Sequence, residues 1–206
     1  METVSASDNL EPVATRNSSV NEYLKSFQIL SDDEINLFES KLVKKRLKKG
    51  DLFIQEGQTS KEIAFVFSGL LRSYYHTASA EEVTYCFSFA NEFTGAYTSF
   101  LSQRKTVLNV QALTDSVLLS ISREDVLALE KSSYNWLKLF KVIAEQEFVQ
   151  TEKRIFLLQK ETAQIRYLNL QANHPEFLQL IPLNYLASYL GITQRHLSRI
   201  RRTVTN

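Results

Sequence analysis

Gln194, Arg195, Ser198, Arg199 and Arg202 crowd one side of a short stretch, LNYLASYLGITQRHLSRIRR, that occupies residues 183–202. It holds four arginines, one histidine and no acid. Guanidinium, amide and hydroxyl groups of this kind can bond guanine O6/N7, adenine N6/N7 and phosphate oxygens. Their chemistry is recognition of a polyanion rather than bond making. A solvated helical hairpin is the bland alternative, but solubilising faces usually mix both signs of charge, so the missing acids favour a reading surface.

Other reactive side chains are sparse. His76, His174 and His196 lie in separate segments with no His-x-His or His-x-x-x-His spacing, so no metal centre is expected. Cys86 is the only cysteine, which excludes an intramolecular disulfide and a cysteine-ligated cluster and suits a reducing, cytoplasmic setting. Cys86 and His76 could form a nucleophile and base, but nothing in the sequence places them together, and a lone strand cysteine is usually a small packed residue. No catalytic residue is assigned and no enzyme is expected.

The basic stretch needs elements to hold it. Leu186, Leu190, Ile192, Leu197 and Ile200 repeat as the buried positions of two short helices, Ala187 allows a close crossing, and Gly191 supplies the positive φ at which the first helix must end. Thr193 can cap the second helix. With Leu197 and Ile200 inward, Thr193 and Val204 fall beside them, Arg195, Ser198, Arg199 and Arg202 face outward, and Gln194 stands on the flank at the leading end. That is a helix–turn–helix with a basic reading helix.

Upstream, residues 133–172 contain no glycine or proline. Leu137, Ala144, Phe148, Thr151, Ile155, Leu158, Thr162 and Ile165 recur in steps of three, four and seven, a heptad-like seam. A homodimer through this seam is expected, the alternative being an ordinary helix lying along the rest of the molecule.

From Leu47 to about Ile121 the pattern is one of short strands punctuated by Gly50, Gly57 and Gly69, as in an antiparallel sandwich or barrel. In VTYCFSFA, strict alternation would place Val83, Tyr85, Phe87 and Phe89 on one face and Thr84, Cys86, Ser88 and Ala90 on the other. Before the strands, Val20 to Phe27 and SDDEINLFESKLVKKRL (31–47) read as helices, the second opening on a Ser31/Glu34 capping box. Lys44, Lys45, Arg46, Lys48 and Lys49 read as a solvated stretch rather than a nucleic-acid contact.

The 206 residues carry a net charge of only +1 and 44% hydrophobic side chains, enough for a core without staples. Charge is nonetheless segregated: residues 1–40 hold eight acids and two bases, and no acid occurs from Phe177 onward. The N-terminus lacks the basic start and apolar core of a secretory signal, and no apolar run approaches a membrane span.

The stretches KKGDLFIQEG, IAFVFSGLLRSYY and IPLNYLASYLGITQRHLSRIRR, with the long helix between them, resemble the Crp/Fnr superfamily of bacterial transcription regulators from about residue 21 to the end. The resemblance is most specific in the terminal motif and less so around Gly50, Gly57, Gly69 and Arg72. It implies an α+β fold: an N-terminal antiparallel β-roll of the cyclic-nucleotide-binding type (a jelly roll), a long dimerisation helix and a C-terminal helix–turn–helix of the winged-helix type. The divisions expected are a flexible tail over 1–20, an effector-type β-roll with flanking helices over 21–132, the dimer helix over 133–160 and the DNA-binding domain over 161–206.

The resemblance further implies sequence-specific binding of palindromic double-stranded DNA by a homodimer, with RNA polymerase and an unidentified small effector as further partners. Base-reading positions fall at Gln194, Arg195 and Arg199; Arg195 stands where many members carry glutamate, so the operator is expected to differ. The effector cassette reads FTGAYTSFLSQRKTVLNVQAL. Gly95 matches, Ala96 replaces the ribose-binding glutamate, and Lys105 and Thr106 stand for the phosphate-binding Arg-Ser/Thr pair. Each lost charge-assisted bond is worth about 1.5–3 kcal/mol, so tight cyclic AMP binding is not expected, and no cofactor is assigned. A different reading makes the chain a ligand-binding module whose basic helix docks a protein partner; preference for a palindrome over random duplex distinguishes the two.

Overall fold

The computed structural model describes residues 19–205. Two helices, α1 (Ser19–Ser26) and α2 (Asp32–Ser40), precede eight strands: β1 (Val43–Leu47), β2 (Leu52–Ile54), β3 (Glu62–Ser68), β4 (Leu71–His76), β5 (Glu82–Ser88), β6 (Phe93–Thr94), β7 (Asn109–Ala112) and β8 (Ser116–Ser122). A short helix, α3 (Tyr97–Ser102), interrupts the strands. After β8 come α4 (Arg123–Ser132), α5 (Tyr134–Lys160), α6 (Ala163–Asn173), α7 (Pro175–Leu180), α8 (Leu183–Tyr189) and α9 (Gln194–Thr205).

The strands form two four-stranded sheets, ordered β1-β8-β3-β6 and β2-β7-β4-β5, with every pairing antiparallel. Between them Ile54, Ala64, Val66, Leu71, Ala96, Val110 and Leu118 make an apolar core. This is the expected β-roll. Gly69 turns the chain from β3 into β4 at φ +104, where an added Cβ would lie 2.8 Å from the Ser116 backbone, so only glycine fits the crossing.

Against the first sheet lies a helical layer in which Val20, Leu24, Phe38, Trp136 and Leu139 are buried. The Ser31/Glu34 capping box is present, and Glu34 reaches further, accepting the hydroxyl of Ser133 at 2.5 Å. Ser133 is itself the N-cap of α5, so one carboxylate ties the starts of two helices distant in sequence.

Four expectations change. The tail expected over 1–20 lies, through residue 18, outside the described residues, while Val20 is fully buried in α1, as part of the apolar cluster between the helical layer and the first sheet. The helix read through residue 47 stops at Ser40, and Val43–Leu47 pairs instead with Leu47↔Ser116 through Val43↔Ser120; cross-strand bonding overrides local helix propensity. In β5 a bulge sets Ser73 opposite Cys86 and Tyr74 opposite Thr84. Tyr85 is skipped and 43% exposed while Thr84 and Phe87 are both buried, so strict alternation fails there.

The last change concerns the long helical run. It breaks at Glu161–Thr162 without glycine or proline: the Thr162 hydroxyl accepts from Ile165 N and starts α6. A side-chain oxygen that offers the backbone an alternative partner is sufficient to end a helix. Arg166 then clamps the joint by donating to Leu158 O and Glu161 O at 3.1 and 3.0 Å. The seam positions Thr162 and Ile165 therefore sit beyond α5.

Candidate nucleic-acid interface

Helices α8 and α9 pack through Leu186, Ala187, Leu190, Leu197 and Ile200, all buried. Gly191 ends the first helix at φ +68, and the Thr193 hydroxyl accepts from His196 N at 3.2 Å. Leucines and a small alanine bring the helices close, glycine turns the chain and threonine restarts it. The terminal motif thus closes as the spacing predicts. No strand flanks it among the described residues, where α6 to α9 follow one another directly. The expected winged-helix type accordingly has no wing there.

The outer side of α9 presents Gln194, Arg195, Arg199 and Arg202, all exposed, with Thr193 exposed at the cap. Ser198 is half-buried, so it stands at the border of this face rather than at its centre. His196, which the sequence reading did not select, is exposed between Arg195 and Arg199. At 1.5 Å per residue the twelve-residue helix is about 18 Å long, and a cylinder of this width fits the major groove. Neither α8 nor α9 contains an acid, so both helices carry formal charge of one sign only.

Arg72, to which no role is assigned from sequence, joins the roll to the terminal helix–turn–helix. It is 1% exposed and is the only charged side chain among the buried described residues. Its Nε donates to Thr84 Oγ1 at 2.9 Å and Nη1 to Glu82 at 2.5 Å, while its guanidinium lies over the rings of Tyr74 and Tyr185. Tyr185 belongs to α8. Beside it Thr84 N donates to Ser188 Oγ, and Phe87 packs edge-on to Phe177 and tilted against Tyr189. From the other side Arg154 of α5 covers the Tyr189 ring at 3.7 Å and donates to Tyr189 O. Alternating aromatic and polar residues on β4 and β5 were visible in the sequence, but not the helix they face.

The effector positions are less convergent. Gly95, at φ +145, passes close to Ile63. Ala96 is 1% exposed inside the apolar core of the roll. Lys105 is exposed, its backbone bridging to Thr59. Thr106 is buried, with its amide on Gln58 O, its carbonyl on Gly57 N and its hydroxyl accepting from Leu108 N. Arg72, the one buried charge among the described residues, is taken up by Thr84, Glu82 and Tyr185 of α8.

Cys86 and His76 are not brought together: Cys86 pairs across from Ser73, whereas His76 pairs across from Glu82, three positions along β4. His76 Nδ1 contacts Glu56 instead at 2.9 Å. The basic run at 44–49 is partly neutralised on the roll by Lys45–Glu62 and Lys48–Asp115 pairs. Among the described residues no group of three or more His, Cys, Asp or Glu is placed to hold a metal ion, and no helix is long and apolar enough to cross a membrane.

Residues 44–133 match the cyclic nucleotide-binding domain family. No curated protein matches the chain by sequence. Among solved structures, FixK2 from Bradyrhizobium japonicum is 16% identical over 80% of this chain and 84% of that one, with a TM-score of 0.70. The c-di-GMP-responsive global regulator CLP of Xanthomonas campestris is 16% identical over 85% and 92%, with a TM-score of 0.68. A protein described as a Crp/Fnr-family transcriptional regulator from Eubacterium rectale is 18% identical over 89% and 88%, with a TM-score of 0.66. The class is therefore an α+β chain in which a domain similar to the cyclic nucleotide-binding family precedes a terminal helix–turn–helix. Its fold is that of the Crp/Fnr-type regulators.

Proposed function

We propose that this protein is a sequence-specific, DNA-binding transcriptional regulator. Residues 21–132 serve as an effector-type domain, 133–160 as the dimerisation helix and 161–206 as the DNA-binding domain. The observation that carries this reading is the solvent face of α9, where Gln194, Arg195, Arg199 and Arg202 stand exposed on a helix–turn–helix that has no acid. Gln194, Arg195 and Arg199 read base edges. Thr193, Ser198 and Arg202 meet phosphates and fix the register.

The homodimer reading is supported by α5. Leu137, Phe148 and Ile155 lie along one side of it and are 46%, 67% and 46% exposed, a stripe that an isolated chain leaves in water. Two copies paired along this stripe would carry their reading helices into successive major grooves about 34 Å apart, so the site is a palindrome.

Control by cyclic AMP is not part of the proposal. Ala96 and Thr106 offer neither a ribose carboxylate nor a phosphate guanidinium, and apolar side chains fill the roll beside Ala96. Calorimetry with cyclic AMP should show no micromolar binding.

Selection of bound duplexes from a random pool, followed by gel-shift titration against salt, tests the central claim. A palindromic consensus with steep salt dependence is expected. Equal binding to all duplexes, or to none, rejects it in favour of a helix that docks a protein.

A further inference from the structure

A cavity of about 220 Å³ lies on the far side of the first sheet from the roll interior, where α3, α4 and the start of α5 converge. Phe93, Phe100, Val126, Phe140 and Ile143 supply apolar walls. It opens to solvent beside Tyr97 and Leu101, which are 46% and 56% exposed, so its apolar walls forfeit contacts that a filling group would restore. An engineered apolar cavity of roughly 150 Å³ already takes up benzene.

Two charged side chains also line it, Arg123 and Glu130. Arg123 opens α4, and its Nε donates to Phe100 O at 3.1 Å, which holds the guanidinium against α3. Its Nη groups bond nothing among the described residues. Glu130 lies seven residues further along α4, about 10 Å away, and makes no ion pair there. The cavity therefore has an apolar body, a fixed cation at one end and an anion at the other.

We propose that this cavity is a binding site for an apolar monocarboxylate, a single ring or short alkyl chain whose carboxylate pairs with the free edge of Arg123. A guanidinium fork matches a carboxylate in two parallel bonds. Glu130 selects against a second carboxylate at the other end. Leu139 and Ile143, which face the cavity, are turned by well over 90° from Phe148 and Ile155 around α5, so a partner along the seam leaves the site open. Because α3 follows the Gly95 segment and α5 leads to the terminal domain, an occupant would set the angle between the roll and the long helix. That consequence rests on the regulator reading; occupancy itself does not and is measured without DNA.

Calorimetry on the full chain with octanoate, octylamine and 1-octanol tests the assignment, and the fluorescence of Trp136, which packs on the cavity residues Phe38 and Phe140, gives a second readout. Octanoate should bind at least tenfold more tightly than octylamine or octanol. Arg123→Gln should weaken octanoate about tenfold and leave octanol unchanged, which separates loss of the charge from loss of the cavity. Leu127 of α4 also lines the cavity, and Leu127→Trp should block all three. Octylamine binding as well as octanoate, octanoate binding equally well to Arg123→Gln, or no octanoate binding to the wild-type chain would each overturn the proposal.

Discussion

The guanidinium of Arg72 lies 3.9 Å from the ring centre of Tyr185, joining the second sheet of the roll to the first helix of the terminal motif. Tyr74 covers its other neighbouring space at 4.4 Å, and Glu82, 44% exposed at its side chain, takes its charge. A planar, weakly hydrated cation between two aromatic rings is a use to which arginine is better suited than lysine.

Arg72→Ala should therefore cost about 2–4 kcal/mol in urea unfolding, from a lost charge-assisted bond and lost ring contacts. Glu82 can rehydrate, which keeps the cost below that of stranding a buried charge. Arg72→Lys should recover less than half. A double-mutant cycle with Tyr185→Leu should show coupling of about 1–2 kcal/mol; simple additivity would mean that the two residues do not hold the domains together.

Arg199 and Arg202 of α9 should behave differently toward DNA. Arg199→Ala is expected to cost about 1–3 kcal/mol and to relax preference at one base pair. Arg202→Ala should weaken every duplex alike and reduce the salt slope by about one. Gel-shift titrations of both variants over a range of salt distinguish these outcomes from a shared, nonspecific loss.

Phe148 is 67% exposed on α5. Phe148→Glu should leave the thermal unfolding of the subunit nearly unchanged, since little of the ring is buried within it, yet shift the chain to monomer in sedimentation experiments. DNA affinity should fall with it, because a monomer engages only one half-site. A Phe148→Glu protein that remains dimeric would remove the seam from the interface.

Burial pushes the Cys86 thiol up from 9.0 to about 11, with a hydrogen bond to Ser73 opposing it. The unfolded chain thus releases this proton at lower pH than the native one, so the thiol's contribution to stability is present below pH 9 and declines as pH rises toward 11. Cys86→Ser should flatten that part of the stability curve relative to wild type. Ellman's reagent should react slowly with the native chain at pH 8 and promptly in urea.

Much of this architecture was legible in local order. Gly191, Thr193, Leu197 and Ile200 specify a turn, a cap and a buried stripe through backbone conformations and side-chain periods a few residues long, and the structure holds each in that role. The Ser31/Glu34 box and Gly69 are similarly local. The runs at 43–47 and 82–88 were not, because their state depends on a partner strand: Val43–Leu47 becomes extended by pairing with β8, and Tyr85 is displaced by a bulge opposite Ser73.

What the sequence determined by itself was the identity of the elements whose signals are local, and the charge carried by the last helix, since propensity, capping and helical spacing act over one or two turns. Tertiary structure alone decided which residues meet across long separations: Arg72 with Tyr185, Ser133 with Glu34, Arg123 with Phe100. Such contacts follow from how twisted sheets and helices stack to bury apolar surface, and no short-range pattern encodes the face that each will find.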